Sequence, residues 1–332
     1  MKKKLLCLLM ATAMTLGLVA CGSEATDNTS ATETTETTEA GGQTYNVGII
    51  QLVQHPALDA ATEGFRDALT EKLGDSVTFD EQNAAGDSAT CSTIANSLVS
   101  EGVDLIMANA TPALQAAQAT TTDIPILGTS VTDYATALSM DNWTGTTGIN
   151  VSGTSDLAPL DGQADMLVEL FPDAKKVGIL YCTAEANSLY QATTITEYLT
   201  AKGLEVKEFT FADSNDVASV VGTASDYADV LYIPTDNTAA SCAETINLAA
   251  TKPIVAGEEG ICSGCGVATL SISYYDLGYQ TGLMAYDVLV NGTAVDSMEV
   301  QFAPNFTKKY NADNCAKYGI EVPDDYEAIS AE

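Results

Sequence analysis

Cys262-Ser263-Gly264-Cys265 places two thiols at the spacing of a redox couple or of half a zinc site. Neither use finds partners elsewhere in the chain. His55 is the only histidine and no second close cysteine pair exists, so no metal and no cofactor is expected. A structural disulfide or free buried thiols is the favoured reading of this pair. One histidine leaves His55 as the sole base for a Ser-His-Asp arrangement, and the chain has no G-x-S-x-G elbow, P-loop or H-E-x-x-H. Glu258-Glu259 is weak evidence for glycosidase chemistry in a chain with 45 acidic residues, where carboxylates fall together by chance.

Binding chemistry remains, and its residues lie where strands are predicted to end. From Asn46 short β-branched runs alternate with amphipathic stretches, the pattern of a parallel sheet covered by helices. Strands are predicted over Val47–Leu52, Val77–Glu81, Leu105–Asn109 and Ile124–Gly128. Pro56 suits the first turn of a helix that buries Leu58, Ala61, Phe65, Ala68, Leu69 and Leu73 and stops at Gly74. The alternation restarts near Lys175, with strands over Val177–Tyr181, Val206–Phe211, Val230–Pro234 and Ile254–Gly257 and helices over Asn187–Lys202, Asn215–Ala224 and Thr238–Thr251. Gly145–Ser155 reads as an extended link, followed by a helix over Pro159–Phe171; a last long helix covers Tyr275–Asn291. Two similar α/β lobes follow.

Ligands of open parallel sheets bind outside the carboxyl ends of the strands. The polar residues there are Gln51, Gln54 and His55; Asn109 and Thr111; Thr129, Ser130, Thr132 and Asp133; then Thr183, Glu185, Asn187 and Ser188; and Thr235, Asp236 and Asn237. Thr111 and Ser188 stand at or in first helical turns, where free N–H groups and the helix dipole suit an anion. Asp236 suits a cation. Together they suit a zwitterion such as a free amino acid. Arg66 is the only arginine, so an arginine clamp on phosphate or a dicarboxylate is excluded. The plainer alternative is that these Ser, Thr, Asn and Asp residues only cap helices. Tyr134, Trp143, Tyr181, Tyr190, Tyr274 and Tyr275 are candidates for an aromatic wall or for half-buried core.

The N-terminus carries Lys2, Lys3 and Lys4 and then an apolar run, Leu5 to Leu18, too short to span a bilayer. Its end, Leu18-Val19-Ala20-Cys21-Gly22, resembles the lipobox of bacterial lipoproteins; the resemblance implies cleavage of residues 1–20 and lipidation of Cys21. Residues 21–43 form an acidic, Thr-rich tether without a large apolar side chain, unable to bury enough surface to order itself. About 290 residues remain, more than one hydrophobic core usually serves, which predicts two lobes. Three of the 13 basic residues belong to the leader, leaving ten against 45 acidic ones. Such a surface repels nucleic acid, which is excluded as a partner.

Val47-Gly48-Ile49-Ile50-Gln51-Leu52-Val53-Gln54-His55-Pro56-Ala57-Leu58-Asp59 resembles the opening of the ABC transporter substrate-binding family that includes the tryptophan- and tyrosine-binding lipoproteins. Further matches follow in order: Ile124-Pro125-Ile126 through Ser130-Val131-Thr132-Asp133, Gly153-Thr154-Ser155-Asp156-Leu157-Ala158-Pro159, Glu185-Ala186-Asn187-Ser188, Pro234-Thr235-Asp236-Asn237-Thr238 and Ser273-Tyr274-Tyr275-Asp276. The likeness covers nearly all of the chain after the tether. It implies an α/β fold of the type I periplasmic-binding-protein kind, with two Rossmann-like lobes, three hinge crossings and ligand in the cleft. The first lobe is then residues 45–153 plus 272–299 and the second 154–271 plus 300–332. The ligand residues it implies are Gln54, His55, Asn109, Thr111, Thr132, Asp133, Ser155, Asp156, Glu185, Asn187, Ser188, Asp236 and Asn237. It further implies a monomer that is not an enzyme, binds an aromatic amino acid and serves an ABC permease with a cytoplasmic ATPase, held by its lipid on the extracellular face of the cell membrane. A ligand sensor, or a thiol-redox or hydrolase enzyme on the same fold, is the alternative. Two departures stand out, Gln54 where the family often has Glu and Tyr134 where it often has Pro; the first bears on how an ammonium is held, the second on the shape of the cleft. Cys262 and Cys265 fall in a loop that is not cysteine-rich in the family, which suggests a disulfide particular to this chain.

Overall fold

The structure, a computed structural model, describes residues 43–329. The expected leader, the lipidated Cys21 and the tether up to residue 42 lie outside the described residues. Among the described residues no helix is long and apolar enough to cross a membrane.

The first lobe begins β1 (Tyr45–Gln51), α1 (Pro56–Leu73), β2 (Val77–Asn83), α2 (Ser88–Glu101), β3 (Leu105–Asn109), α3 (Thr111–Thr120), β4 (Ile126–Val131), α4 (Tyr134–Ala137) and β5 (Val151–Ser155). β3, β4 and β5 are buried along their whole length, as strands covered on both faces must be, whereas in the edge strand β2 only Val77 is buried. Val47 and Ile49 pack beneath α1 through Phe65 and Leu69, while Ile50 and Ile106 pack beneath α2 and α3 through Leu98 and Leu114. Asp87 caps α2 by accepting from the amides of Ala89 and Thr90, and Gly102 ends it in the left-handed region at φ 72°.

The second lobe runs α5 (Leu160–Leu170), β6 (Lys176–Cys182), α6 (Ala186–Ala201), β7 (Glu205–Phe211), α7 (Val217–Tyr227), β8 (Val230–Ile233), α8 (Asn237–Ser241), α9 (Ala243–Ala249), β9 (Ile254–Ala256), α10 (Glu259–Gly264) and β10 (Ala268–Ser271). The helix expected over Thr238–Thr251 is thus two, broken at Cys242. The chain then returns to the first lobe with α11 (Tyr274–Leu289) and β11 (Gln301–Phe302) and ends in the second with β12 (Thr307–Tyr310), α12 (Ala312–Tyr318) and β13 (Glu327–Ala328). The sheet orders are β11-β5-β4-β3-β1-β2 and β13-β12-β10-β9-β8-β6-β7. All pairings are parallel except β10 with β12.

Sheet membership moves two of the expected lobe boundaries. Thr154 and Ser155, assigned by the resemblance to the second lobe, belong to β5 and pair with Gln301 and Phe302 of β11, so the crossings follow Ser155, Ser271 and Phe302. The stretch read as a link, Gly145–Ser155, supplies this fifth strand. Its sequence, Val-Ser-Gly-Thr-Ser, hides a buried strand because its polar side chains are satisfied internally: Ser152 Oγ donates to the Met298 carbonyl at 3.0 Å, and the Thr154 and Thr281 hydroxyls meet at 2.8 Å.

α11 packs along α1 although a whole lobe separates them in sequence, and glycine permits the approach. A Cβ on Gly64 would strike the Tyr275 carbonyl, one on Gly278 the Ala61 carbonyl, and one on Gly282 the Phe65 carbonyl. Backbone cannot yield as a side chain can. Gly278→Ala is therefore expected to destabilise by about 1–3 kcal/mol, the usual cost of overpacking. Gly222→Ala on α7, where a Cβ meets nothing within 4 Å, is expected to raise the midpoint through helix propensity. Thermal unfolding of the two variants should show shifts of opposite sign.

Candidate ligand-binding site

The first lobe presents its strand ends through a strained turn. Ala110, between β3 and α3, has φ 90°, and Ser130, near the end of β4, has φ 55°, a region that costs non-glycine residues free energy. The turn at Ala110 sets Asn109 and Thr111 side by side. Asn109 is fixed by a buried relay: its Nδ2 donates to the Leu58 carbonyl at 2.8 Å and to Thr62 Oγ1 at 3.0 Å, Thr62 donates to Gln51 Oε1 at 2.6 Å, and Gln51 Nε2 donates to Asp59 at 2.6 Å. With both amide hydrogens committed, Asn109 Oδ1 is left buried without a partner, as are Thr111 Oγ1 and Ser130 Oγ.

The second lobe is organised by one carboxylate. Glu185, just before α6, accepts from the Thr238 amide at 2.8 Å and hydroxyl at 2.7 Å through Oε1, and from Asn237 Nδ2 at 2.6 Å, the Asn237 amide at 3.1 Å and Asn187 Nδ2 at 3.2 Å through Oε2. These bonds tie the end of β6 to the start of α8. Asn187 Nδ2 also donates to the Thr235 carbonyl at 3.0 Å, which leaves Asn187 Oδ1 buried and unpartnered. Asn237 Oδ1 faces His55 of the first lobe, 3.3 Å from Nε2. Since Asn237 Nδ2 donates to Glu185, its Oδ1 must accept. His55 therefore carries its proton on Nε2, and its Nδ1 is a buried acceptor without a partner. Burial lowers the His55 pKa, opposed by the Asn237 bond and by the charges of Glu185 and Asp59.

A second buried cluster lies at the crossings. Thr132 donates to Asp156 Oδ1 at 3.1 Å, Tyr274 donates to Asp156 Oδ2 at 2.9 Å, and Ser155 Oγ donates to the Thr132 carbonyl at 2.8 Å. Gln191 of α6 reaches Thr132 Oγ1 across the lobes at 3.1 Å. Between the lobes an open cleft of about 440 Å³ is bounded by Val53, Gly86 and Pro112 on one side and Glu185, Ser214 and Asn237 on the other.

Of the expected site residues, His55, Asn109, Thr111, Asn187 and Asn237 are brought to the apposed strand ends. Thr132, Ser155 and Asp156 form the crossing cluster, with their polar groups committed to one another and to neighbours. Gln54 does not join them, because its side chain is exposed. Asp133 caps α4, accepting from the Thr136 amide at 2.7 Å. Asp236, expected to hold a cation, spends both oxygens on backbone: it accepts from the Ala239 amide and from the Cys182 amide, each at 2.7 Å. It is a cap and a tie between β8 and β6. Ser188 is fully buried and accepts from Asn187 Nδ2 at 3.3 Å. Sequence reasoning passed over Gln191, which was legible as the residue one turn beyond Asn187 on the same face of α6.

Tyr134 does not reshape the cleft. Its ring is buried and its hydroxyl occupies the space that side chains on Gly128 and Gly153, paired across β4 and β5, would fill; it donates to the Thr154 carbonyl at 3.1 Å, and Trp143 stacks on it. The enzymatic alternatives lose their parts as well. Cys262 and Cys265 are free, buried thiols, so the expected disulfide is not formed, and burial pushes both well above the ordinary thiol range, away from the reactive thiolate. Glu258 caps α10 by accepting from the amides of Gly260 and Ile261, while Glu259 pairs with Lys309 at 2.6 Å; they do not work as a carboxylate pair. Among the described residues no three His, Cys, Asp or Glu side chains are placed to hold a metal.

Two lobes of parallel sheet with apposed strand ends, joined by three crossings, make this a type I periplasmic-binding-protein fold. Residues 46–332 match the family described as ABC transporter substrate binding protein, and the chain belongs to that family. It is a binding protein and not an enzyme. It is 37% identical over 304 residues to the tyrosine-binding protein of Clostridioides difficile (strain R20291), across 90% of this chain and 87% of that one. It superposes on an ABC domain from Streptococcus pneumonia in complex with L-Trp with TM-score 0.81 at 31% identity, covering 85% of this chain and 97% of that one. Against the ligand-free, open structure of a Clostridium difficile substrate binding protein with adhesive properties the TM-score is 0.66 at 37% identity, covering 87% of this chain and all of that one. The lower score at higher identity accords with lobes that touch through His55–Asn237 and Gln191–Thr132.

Three buried carboxylates at the apposed faces make stability depend on pH. Burial raises Asp156 to about 6, and burial, reinforced by neighbouring carboxylates, raises Asp236 and Glu258 each to about 7. A raised acid holds its proton more tightly in the folded chain, so its contribution is present below about pH 4 and is lost as the pH rises to about 7. The unfolding midpoint is expected to be higher at pH 5 than at pH 8. Surface self-repulsion acts in the same direction. The discriminating measurement is therefore Glu258→Gln, which cannot titrate, keeps one of the two capping oxygens and should flatten the dependence between those two values.

Proposed function

We propose that this chain is the receptor of an importer, enclosing a free amino acid, aromatic by preference, between its lobes and delivering it to an ABC permease driven by a cytoplasmic ATPase. It acts as a monomer on the extracellular face of the membrane, held by lipid on Cys21. The lipobox-like Leu18-Val19-Ala20-Cys21-Gly22 supports the anchor. The observation that carries the ligand reading is that, of the six buried, unpartnered side-chain atoms among the described residues, five, His55 Nδ1, Asn109 Oδ1, Thr111 Oγ1, Ser130 Oγ and Asn187 Oδ1, lie at the strand ends of both lobes, the sixth being Thr269 Oγ1 within β10. A buried polar atom without a partner costs about 1–3 kcal/mol, and a ligand that supplies the partners removes that cost.

Their chemistry suits a zwitterion. Two hydroxyls beside the N-terminus of α3 suit a carboxylate, and three acceptors match in number the three N–H bonds of an ammonium. Arg66, the one arginine, is paired with Glu81 at 3.0 Å on the surface, which leaves dianionic ligands without a clamp. The aromatic preference is carried over from the tyrosine-binding protein of Clostridioides difficile and the L-Trp complex from Streptococcus pneumonia. Closure over such a ligand excludes water and strengthens each polar contact.

Thermal unfolding against the twenty amino acids, nucleosides and sugars tests this. At about 100 times its dissociation constant a ligand stabilises by about 2.7 kcal/mol. Trp, Tyr or Phe should shift the midpoint, and Thr111→Val should abolish the shift without lowering the ligand-free midpoint, because the hydroxyl removed has no partner in the protein. A shift by a nucleoside or sugar alone would refute the amino-acid assignment.

A further inference from the structure

The polar groups between the lobes divide into two kinds. The five unpartnered atoms await a ligand; Gln191 does not. Its side chain is buried, its Oε1 accepts from the Thr235 amide at 3.2 Å, and its Nε2 donates across the lobes to Thr132 Oγ1 at 3.1 Å, with the Asn187 and Thr235 carbonyls each at 3.4 Å. The Thr235 amide fixes which way the Gln191 amide points, because it can only donate. The polarity continues beyond Thr132: an ionised carboxylate only accepts, so the Thr132 proton goes to Asp156 Oδ1, and the Thr132 lone pair is what remains for Gln191. The second oxygen of Asp156 takes the Tyr274 hydroxyl. Asp156 is the first residue after β5 and Tyr274 the first of α11, so the chain of bonds runs from the face of one lobe, through the rim of the other, to two of the three crossings.

We propose that Gln191 is a closure latch: a positioning residue that never touches the ligand, sets affinity by holding the lobes together through Thr132, and couples closure to the hinge through Asp156 and Tyr274. Hinge opening moves α6 away from Thr132 and breaks the Gln191 bond, whereas Thr132 and Asp156 follow one another directly through the first lobe and its crossing and stay paired. Closure thus completes a relay already half made. The latch acts on how long the lobes stay shut, so its effect falls on ligand dissociation rather than on capture. This inference rests on the reading of the cleft as a ligand-enclosing site.

The test uses Thr132→Val, Gln191→Met and Thr132→Ser in the exported chain, with L-tryptophan and L-tyrosine as probes in stopped-flow binding and with small-angle scattering of the ligand-free chain. Thr132→Val and Gln191→Met should each speed dissociation by about three- to tenfold, the worth of one hydrogen bond, with the association rate unchanged. The double variant should be no worse than either single, since both break the same bond. Thr132→Ser, which keeps the hydroxyl, should behave as the parent. Dissociation unchanged in both single variants, or losses that add in the double, would overturn the latch. If neither amino acid binds even the parent chain, the ligand assignment fails on its own; scattering then decides, a larger radius of gyration in Thr132→Val and Gln191→Met than in the parent and Thr132→Ser supporting the latch and equal radii refuting it.

Discussion

Leaving a hydrogen-bonding atom buried and unpaired costs free energy, and this fold concentrates such atoms between its lobes, where almost every neighbouring polar group is satisfied. The arrangement depends on that contrast. Asn109 can keep a bare carbonyl only because the relay from Asp59 through Gln51 and Thr62 fixes its amide hydrogens. Asn187 can do so because Glu185 and the Thr235 carbonyl hold its other end. Without these bonds each amide would turn and find a partner of its own. The surrounding network thus keeps a localised deficit in place, and a ligand with matching groups is what relieves it.

The covalent topology supports the same end. Neither lobe is finished until the chain has visited the other: β11 completes the first sheet after β6 to β10 of the second, and β12 and β13 complete the second sheet after α11 has returned to pack on α1. The glycine-lined contact between α1 and α11 brings backbone against backbone, so the start of α11, which carries Tyr274, is fixed with respect to the first lobe. Motion is then confined to the short crossings. A hydroxyl at the first turn of α11 that reaches Asp156 is well placed to sense that motion, because both residues lie where the lobes part.

Most strands were legible because a strand buried on both faces is an uninterrupted apolar run, and Leu105–Asn109 was read with the limits the structure shows. β5 was not, since Ser152 and Thr154 are buried through hydrogen bonds that only the returning chain and neighbouring strands supply. Polar residues at strand ends were the right place to look, yet type and position alone do not tell a ligand contact from a cap. Asp236 and Asn187 are both polar and both follow strands. What separates them is which atoms are already bonded, and those partners, Cys182, Ala239, Glu185 and Thr235, come from other segments. Gln54 illustrates the converse: it stands beside His55 in the most recognisable stretch of the sequence and points to solvent. Tyr134 shows that a departure from a family pattern can be absorbed at a distance from it in sequence, here by the absence of side chains at Gly128 and Gly153.

Electrostatics at the closed interface limits what can be enclosed. Asp156, Asp236 and Glu258 are all buried at or near the apposed faces, and each holds its proton to higher pH than a solvated carboxylate would. Asp156 and Asp236 are each bonded to donors on both oxygens, and Glu258 caps α10 with both of its own, so they add negative potential without offering a free ligating atom. A ligand bearing only negative charge would meet this field with no arginine to offset it. A ligand bearing a positive group would be favoured by it. The direct contacts would come from neutral amide, hydroxyl and imidazole atoms and the longer-range attraction from carboxylates that never touch it, a division that lets the contacts stay in place while the field varies with pH.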